Sequence, residues 1–257
     1  MHLVAPLLDS ARRWLAAALI LVVAGCANSP GGPRDAADAD PLEPFNRYMF
    51  EVNRFGDEFA LKPLAVIYRG TVPSVARESV ANAVANLRLP WTAANDVLQG
   101  ELGRAGTAAA RFALNSTFGF LGLFDMARDV GFPHHDEDFG QTLGVWGVTG
   151  DPYLVLPLFG PSSPRDAVGT AVDWFLDPVT IVAKGGRIGG AGNVFTYSRT
   201  ATSVISSREM NIEALAELER GVDYYAAIRS AWRQRREADV RNESTSGRRF
   251  VPRFSLD

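Results

Sequence analysis

The sequence predicts a mainly α-helical fold behind an N-terminal export signal. Three observations support this prediction: apolar residues recur at helical spacing in several segments, no segment alternates convincingly as a strand would, and no repeat period appears. About 230 residues follow the signal, which is enough for one large domain. We therefore expect a single helical domain.

The first element is a signal with the order typical of bacterial lipoproteins. Arg12 and Arg13 form a positive region, and an apolar run of 11 residues follows from Trp14 to Ala24. Small residues then precede Cys26, the single cysteine of the chain. We interpret residues 1–25 as a cleaved signal and Cys26 as the lipidated residue. The alternative is an ordinary secretory signal followed by an incidental cysteine.

The second element, residues 26–39, is small, polar and rich in glycine and proline, which predicts a flexible tether. Ala27 rather than an aspartate follows the cysteine, and by similarity to bacterial lipoproteins this favours the outer membrane. Removing the signal takes away Asp9, Arg12 and Arg13, which leaves 24 basic and 28 acidic residues and a net charge of −4. Because nucleic acid requires a basic surface, we expect no nucleic-acid partner.

A helix is expected to begin beside Asp40, which can cap it, with Pro41 at the first helical position. Four apolar residues then recur at helical spacing and form a stripe that we expect to face the core: Phe45, Met49, Val52 and Phe59. Phe50 and Phe55 lie off this stripe and make the helix apolar over more of its circumference.

Further helices are expected at residues 74–89, ended by Pro90, at 100–115, and at 208–220. Asp223 can cap a last helix that runs to about Glu237. The remaining residues, 239–257, are polar and rich in arginine, and we expect them to be disordered.

The middle of the chain is apolar but irregular. Three stretches of 12 or 13 residues carry no charge: 112–124, 139–150 and 152–164. A membrane-spanning helix needs about 18 apolar residues or more, so these stretches are too short. Two interpretations stay open with equal weight: re-entrant elements that fold back within a membrane, or the buried core of a water-soluble protein.

Motifs of catalysis are absent from the sequence: it has no G-x-S-x-G, no P-loop and no H-E-x-x-H. His134 and His135, with Asp136 and Asp138, form a weak metal candidate, because adjacent histidines in an acidic loop are usually solvated. We therefore expect no enzyme activity, no cofactor and no metal. Eight arginines between residues 229 and 253 are typical either of a solvated helix face or of contacts to phosphates and acidic partners.

An ordered series of motifs covers residues 40–236. The series consists of DPLEPFNR (40–47), RFALNST (111–117), EDFGQTLG (137–144), PYLVLP (152–157) and RD at 165–166. Together these motifs resemble the MlaA (VacJ) family of outer-membrane lipoproteins. One position departs from the family pattern, since Asp151 stands where a glycine commonly precedes Pro-Tyr.

The resemblance implies one helical, disc- or ring-shaped domain over residues 40–238, with a re-entrant helical hairpin and an irregular Gly/Pro-rich central segment. It implies association with an outer-membrane trimeric porin. It also implies removal of phospholipids from the outer leaflet, through an amphipathic channel, to a soluble periplasmic lipid-binding carrier. No bond would be broken and no ATP used. Two other hypotheses stay open: a lipoprotein that only braces a porin, and a lipid hydrolase that uses His134 and His135.

By the same resemblance, residues 115–132 form the hairpin that controls the channel, with Gly119 and Gly122 as its flexible points. The other candidate gate residues are Asn115, Phe118, Phe120, Leu121, Leu123 and Phe124. The candidates for the channel and its rim are Phe45, Asn46, Met49, Phe50, Asn53, Trp146 and Tyr153.

Overall fold

The computed structural model describes residues 40–185 and 190–243. The helices are α1 (Glu43–Gly56), α2 (Lys62–Thr71), α3 (Ser74–Asn86), α4 (Leu89–Leu98), α5 (Leu102–Thr117), α6 (Met126–Asp129), α7 (Phe139–Val145), α8 (Pro164–Leu176), α9 (Pro178–Gly185), α10 (Gly190–Met210), α11 (Ile212–Glu219) and α12 (Tyr224–Val240). A π-helical turn (Asp57–Leu61) joins α1 to α2. The prediction of a mainly helical fold is confirmed.

The chain divides into a first unit, residues 1–45, and a second unit, residues 46–257; the packing described below lies within the second. The predicted signal, the tether and Cys26 lie outside the described residues, as does the tail from residue 244 onwards. The first residues assigned to that tail, 239 and 240, belong to the end of α12.

Several helix boundaries agree with the sequence patterns and others do not. The segments predicted at 100–115 and from Asp223 to Glu237 are α5 and α12, and the Asp223 side chain caps α12 by accepting from the Ala226 amide at 3.0 Å. The prediction that Pro90 ends a helix is wrong, because α3 ends at Asn86 and Pro90 lies in the first turn of α4. A proline suits that first turn because its missing N–H has no intrahelical acceptor there.

The helix predicted at 208–220 is also divided differently, since α10 ends at Met210 and α11 begins at Ile212. The expectation that strands are absent is wrong for one short hairpin. Strand β1 (Leu154–Leu156) pairs antiparallel with β2 (Gly160–Ser162), so that Leu156 lies opposite Gly160. Three-residue strands are too short for an alternation pattern to be recognised in the sequence.

The core-facing stripe predicted for α1 is wrong except at Met49, which packs against the core. Helix α1 buries Asn46 and Phe50, whereas Phe45 and Val52 on the predicted stripe are exposed, and Phe59 in the following π-helical turn is 72% exposed. Phe50 belongs to an aromatic and aliphatic cluster with Tyr153, Val155, Leu218, Tyr225 and Ile228. Through Phe50, α1 therefore joins the apolar core.

Large apolar side chains are exposed along much of the described chain, while many polar ones are buried. Leu121, Leu158 and Phe175 are 79%, 90% and 80% exposed, whereas Arg111, Asp96 and Thr142 lie in the interior. The interpretation of the apolar middle as the buried core of a water-soluble protein is therefore wrong for much of its length. Within residues 40–185 and 190–243, every helix is too short or too polar to cross a membrane.

Candidate functional site

The base of the hairpin predicted at residues 115–132 is fixed by a buried ion pair. The guanidinium of Arg111, in the second half of α5, donates to both carboxylate oxygens of Asp125 (2.7 and 2.9 Å) and also to the Phe132 carbonyl. Asn115 donates to Asp125 (3.0 Å) and accepts from the Ala127 amide (2.8 Å). Burial alone raises the pKa of Asp125, but the hydrogen bonds from Arg111 and Asn115 outweigh it and hold that pKa below its usual value.

The tip of the hairpin has a left-handed backbone and an apolar surface. Phe120, Leu121 and Gly122 have φ of 51°, 58° and 91°, a region that side chains other than glycine seldom occupy. The candidate gate side chains at this tip are all exposed: Phe118, Phe120, Leu121, Leu123 and Phe124. The hairpin therefore presents apolar groups outward from a polar, hydrogen-bonded base.

The two glycines proposed as flexible points are buried and closely packed. A Cβ at Gly119 would overlap the carbonyl oxygens of Phe124 and Asn115, and a Cβ at Gly122 would lie 2.5 Å from the Asn86 Cβ. Both positions therefore require glycine for space, and Gly122 requires it also for its positive φ.

The rim candidates on α1 hold an irregular strand in place. Asn46 is fully buried; its amide donates to the Tyr153 carbonyl (3.0 Å) and its carbonyl accepts from the Val155 amide (2.8 Å). Asn53, two turns later on the same face, donates to the Leu156 carbonyl (2.9 Å) and accepts from the Leu158 amide (2.7 Å). These paired contacts replace the missing sheet partner along one edge of β1.

The remaining rim candidates lie in different environments. Tyr153 is buried, with its ring edge-on to Trp232 at 5.5 Å, and Met49 packs half-buried against the same cluster. Trp146 is 54% exposed and lies elsewhere, where its indole N–H donates to the Leu98 carbonyl at 3.0 Å. The structure therefore brings Asn46, Asn53 and Tyr153 together and leaves Trp146 apart from them.

A second buried ion-pair cluster, which the sequence did not predict, joins α12 to the starts of α7 and α8. Arg236 donates to Asp138 (2.7 and 2.7 Å) and to Asp166 (3.0 and 2.7 Å). Burial raises the pKa of Asp138, but the charge and hydrogen bonds of Arg236 outweigh it and lower that pKa to about 2. Burial lowers the pKa of Arg236, yet the two carboxylates raise it above its usual value.

The same cluster fixes two helix starts. Asp138 caps α7 by accepting from the Gln141 amide (2.9 Å), and Ser163 caps α8 by accepting from the Asp166 amide (3.1 Å). Helices α7 and α8 cross so closely that a Cβ at Gly169 would lie 2.5 Å from the Gly140 Cα. The sequence contains a recognisable signal for these two helix starts. Asp138 is the cap residue within EDFG, and Asp166 follows the cap residue Ser163 by three positions within SPRD.

His135, but not His134, belongs to a third buried polar cluster, since His134 pairs with the exposed Asp136 at 3.3 Å. His135 Nε2 lies 2.8 Å from Asp96 Oδ2, and Arg104 donates to the nearby Glu137 at 2.5 Å. Burial raises the pKa of Glu137 against the opposing effect of Gln99 and Arg104. In the described ranges no group of three or more His, Cys, Asp or Glu side chains could hold a metal ion.

Asp151, the departure from the family pattern, pairs with Arg233 of α12 at 2.8 Å and is mostly exposed. It precedes a cis peptide bond to Pro152 and is not among the described residues that have a positive φ. The backbone at this position therefore does not need the conformational freedom of glycine.

A small cavity lies between α1, α11 and α12. Its volume is about 40 Å³, and its lining includes Arg54, Asp57, Arg208 and Tyr224. Such a volume holds a few water molecules and is far too small for a phospholipid. This cavity is therefore not the channel that the resemblance implies.

Buried ion pairs and exposed large apolar side chains together indicate a helical protein whose surface contacts an apolar partner, either another protein or a membrane. The family profile described as MlaA lipoprotein matches residues 38–239, and the chain belongs to this family. It is 31% identical to the intermembrane phospholipid transport system lipoprotein MlaA of Escherichia coli strain K12, over 84% of this chain and 83% of that protein. An uncharacterized protein of Rickettsia bellii is 36% identical over 78% of this chain and 76% of its own length.

A solved structure has a similar fold. It is described as the structural basis for maintenance of bacterial outer membrane lipid asymmetry, and its TM-score to this chain is 0.68 at 30% sequence identity. The match covers 79% of this chain and 99% of the solved one. The resemblance inferred from the motifs is thereby confirmed.

Proposed function

We propose that this protein is an outer-membrane lipoprotein that removes mislocalised phospholipids from the outer leaflet and passes them through an amphipathic channel to a soluble periplasmic carrier. This activity maintains the lipid asymmetry of the outer membrane. Transfer is passive and breaks no covalent bond, and it is directed by the relative affinity of lipid for leaflet, channel and carrier. Family membership and the names of the relatives support this function.

The observation that carries the proposal is the placement of apolar and polar side chains. Phe59, Leu121 and Phe175 are each more than 70% exposed, whereas Arg111 and Asp96 are almost completely buried. In water, exposed apolar side chains of this size would favour aggregation; against acyl chains they would be solvated. A phospholipid needs apolar surface for its tails and polar groups for its headgroup, and this chain offers both.

In this proposal, residues 1–25 are removed and Cys26 carries the lipid anchor. Residues 26–39 form the tether, residues 40–238 form the helical domain, and an Arg-rich tail follows. The domain is embedded in the outer membrane from the periplasmic side beside a trimeric porin. Helix α1 and residues 139–160 form the ring and its apolar rim, and the hairpin at residues 115–132 gates the channel. Arginines near the rim meet lipid headgroups.

Gene deletion tests the transport activity. Without this protein, phospholipid should accumulate in the outer leaflet and the bacterium should become sensitive to detergent. A protein that only braces a porin predicts no accumulation, and that result would refute transport.

The gate is tested by complementing the deletion with two matched glycine variants. Gly122→Ala places a Cβ at positive φ against Asn86, whereas Gly131 has the same φ of 91° and, among the described residues, no atom within 4 Å of a built Cβ. Backbone strain of about 1 kcal/mol is common to both. We expect Gly131→Ala to restore detergent resistance and Gly122→Ala to fail; equal complementation by both would contradict the gate.

A further inference from the structure

We propose that Asn86 of α3 is the positioning residue that latches the tip of the hairpin, and that release of this latch controls lipid passage. The inference rests on the proposed function, because it assigns a holding contact to the proposed gate. Helix α3 is separate in sequence from the hairpin, so the latch is a contact between two elements.

The hairpin is held by contacts of two different strengths. Its base is fixed by charged hydrogen bonds between Arg111 and Asp125. Its tip meets α3 through neutral contacts: the Asn82 amide donates to the Leu123 carbonyl at 3.3 Å, and Gly122 packs against the Asn86 side chain, whose amide is anchored by donating to the Ser116 hydroxyl in the last turn of α5 at 2.9 Å. Because charged hydrogen bonds are the stronger kind, the tip leaves its seat more readily than the base.

The latch contact is also only partly satisfied. Asn86 is 3% exposed, and within the described part of the chain its carbonyl oxygen Oδ1 has no hydrogen-bond partner. A buried acceptor without a partner weakens the seated state relative to one in which that acceptor is solvated.

Backbone strain in the tip acts in the same direction. Phe120 and Leu121 are non-glycine residues at positive φ, and release of the tip would let both return to ordinary conformations. Gly122 meanwhile fits the tip to the Asn86 side chain, since a Cβ at Gly122 would lie 2.5 Å from the Asn86 Cβ. The tip is thus shaped to its latch and strained when seated on it.

The test places a nitroxide spin label on the tip of the full-length, lipidated chain. Leu121→Cys labels the tip, and Leu158→Cys is the matched control, because both leucines are exposed and have positive φ of 58° and 67°. Lipidation occupies Cys26 in the proposed function, so the introduced cysteine is the free thiol. The label mobility is then measured in Ser116→Ala, in Asn86→Ala and in the double variant.

We expect the mobile fraction at position 121 to rise about two- to tenfold in each single variant, as the loss of one neutral hydrogen bond predicts. The fraction at position 158 should not change. The double variant should be no more mobile than the more mobile single one, because both remove the same contact. An equal rise in mobility at positions 121 and 158 would indicate general loosening of the fold and would overturn the latch. Unchanged mobility at position 121 would show that Asn86 does not hold the tip, and would also overturn it.

Passage is measured with the same chains in phosphatidylethanolamine–phosphatidylglycerol vesicles that contain a fluorescent phosphatidylethanolamine, as transfer of the probe to serum albumin, a soluble lipid acceptor that stands in for the carrier. The single variants should transfer the probe about two- to tenfold faster than the parent chain. A mobile tip with an unchanged transfer rate would overturn control of passage by the latch. If the parent chain transfers no more probe than protein-free vesicles do, the proposed function fails, and the latch's role in passage fails with it, whereas the label still reports the Asn86 contact.

Discussion

The interior around α7, α8 and α12 and the outer faces of α1, α2 and the hairpin tip have opposite compositions. The interior contains Arg236 and Asp166 in an ion-paired cluster. Ile67 on α2, Leu121 at the hairpin tip and Phe59 in the π-helical turn between α1 and α2 are exposed. In a water-soluble protein the burial of apolar area is the dominant stabilising contribution. In this chain, hydrogen bonds and ion pairs between distant segments join the buried polar side chains. Many large apolar side chains are instead exposed on the surface.

The largest expected effect concerns the buried ion cluster. Arg236→Ala leaves Asp138 and Asp166 without their shared cation, and breaking such a pair typically costs about 3–5 kcal/mol. Chemical unfolding in detergent, followed by circular dichroism, measures this loss. Arg235→Ala is the control, because Arg235 is 44% exposed and lies 3.8 Å from Asp239; we expect a change within about 0.5 kcal/mol. Equal losses would mean that the polar interior contributes little to stability.

A smaller effect is expected from Asp173, whose carboxylate accepts from the Trp91 indole (2.7 Å) and the Phe139 amide (3.0 Å). Burial, and then the charge of Asp138, raise the pKa of Asp173 from 3.8 to about 6. The folded state therefore binds this proton more tightly than the unfolded state, so its contribution to stability is complete below pH 3.8 and is lost as the pH rises through 6.

Asp173→Asn keeps the accepting oxygen and removes the titration. We expect this variant to be about 1–2 kcal/mol more stable than the parent at pH 7, a value reduced for partial solvent screening, and to match the parent near pH 4. Unfolding free energies measured from pH 4 to 7 give the difference. The exposed residue Asp129, changed to Asn, should leave the pH profile as it is in the parent. A constant offset between Asp173→Asn and the parent would exclude Asp173 as the titrating group.

The smallest change in stability is expected on the apolar faces. Phe175 is 80% exposed, so Phe175→Gln should alter the free energy of unfolding in detergent by no more than about 0.5 kcal/mol. In a Cys26→Ser background, which removes the lipid anchor, the same change should weaken partition into phospholipid vesicles about tenfold. Glu237→Gln, on an exposed position of α12, is the control and should change neither quantity. Unaltered partition would show that this face does not contact lipid.

The motifs predicted more of the local structure than of the packing. Asp223 as a helix cap and the helix at 100–115 were readable because a cap and a helical period act over a few residues. The assignment of Pro90 failed because a proline is equally compatible with the end of one helix and the first turn of the next. The gate and rim assignments remain predictions, and for Asn46 and Asn53 the structure adds a role in holding β1.

By itself the sequence determined the helical class, the family and the length limit on its apolar stretches, because these depend on local chemistry and on ordered motifs. Only the tertiary structure decided which face of α1 is buried and that Arg236 meets Asp138 and Asp166 from 98 and 70 residues away. The physical reason is that periodicity identifies an apolar face without stating which solvent it meets. In this chain large apolar side chains lie outward, so the rule that an apolar stripe faces the core fails here.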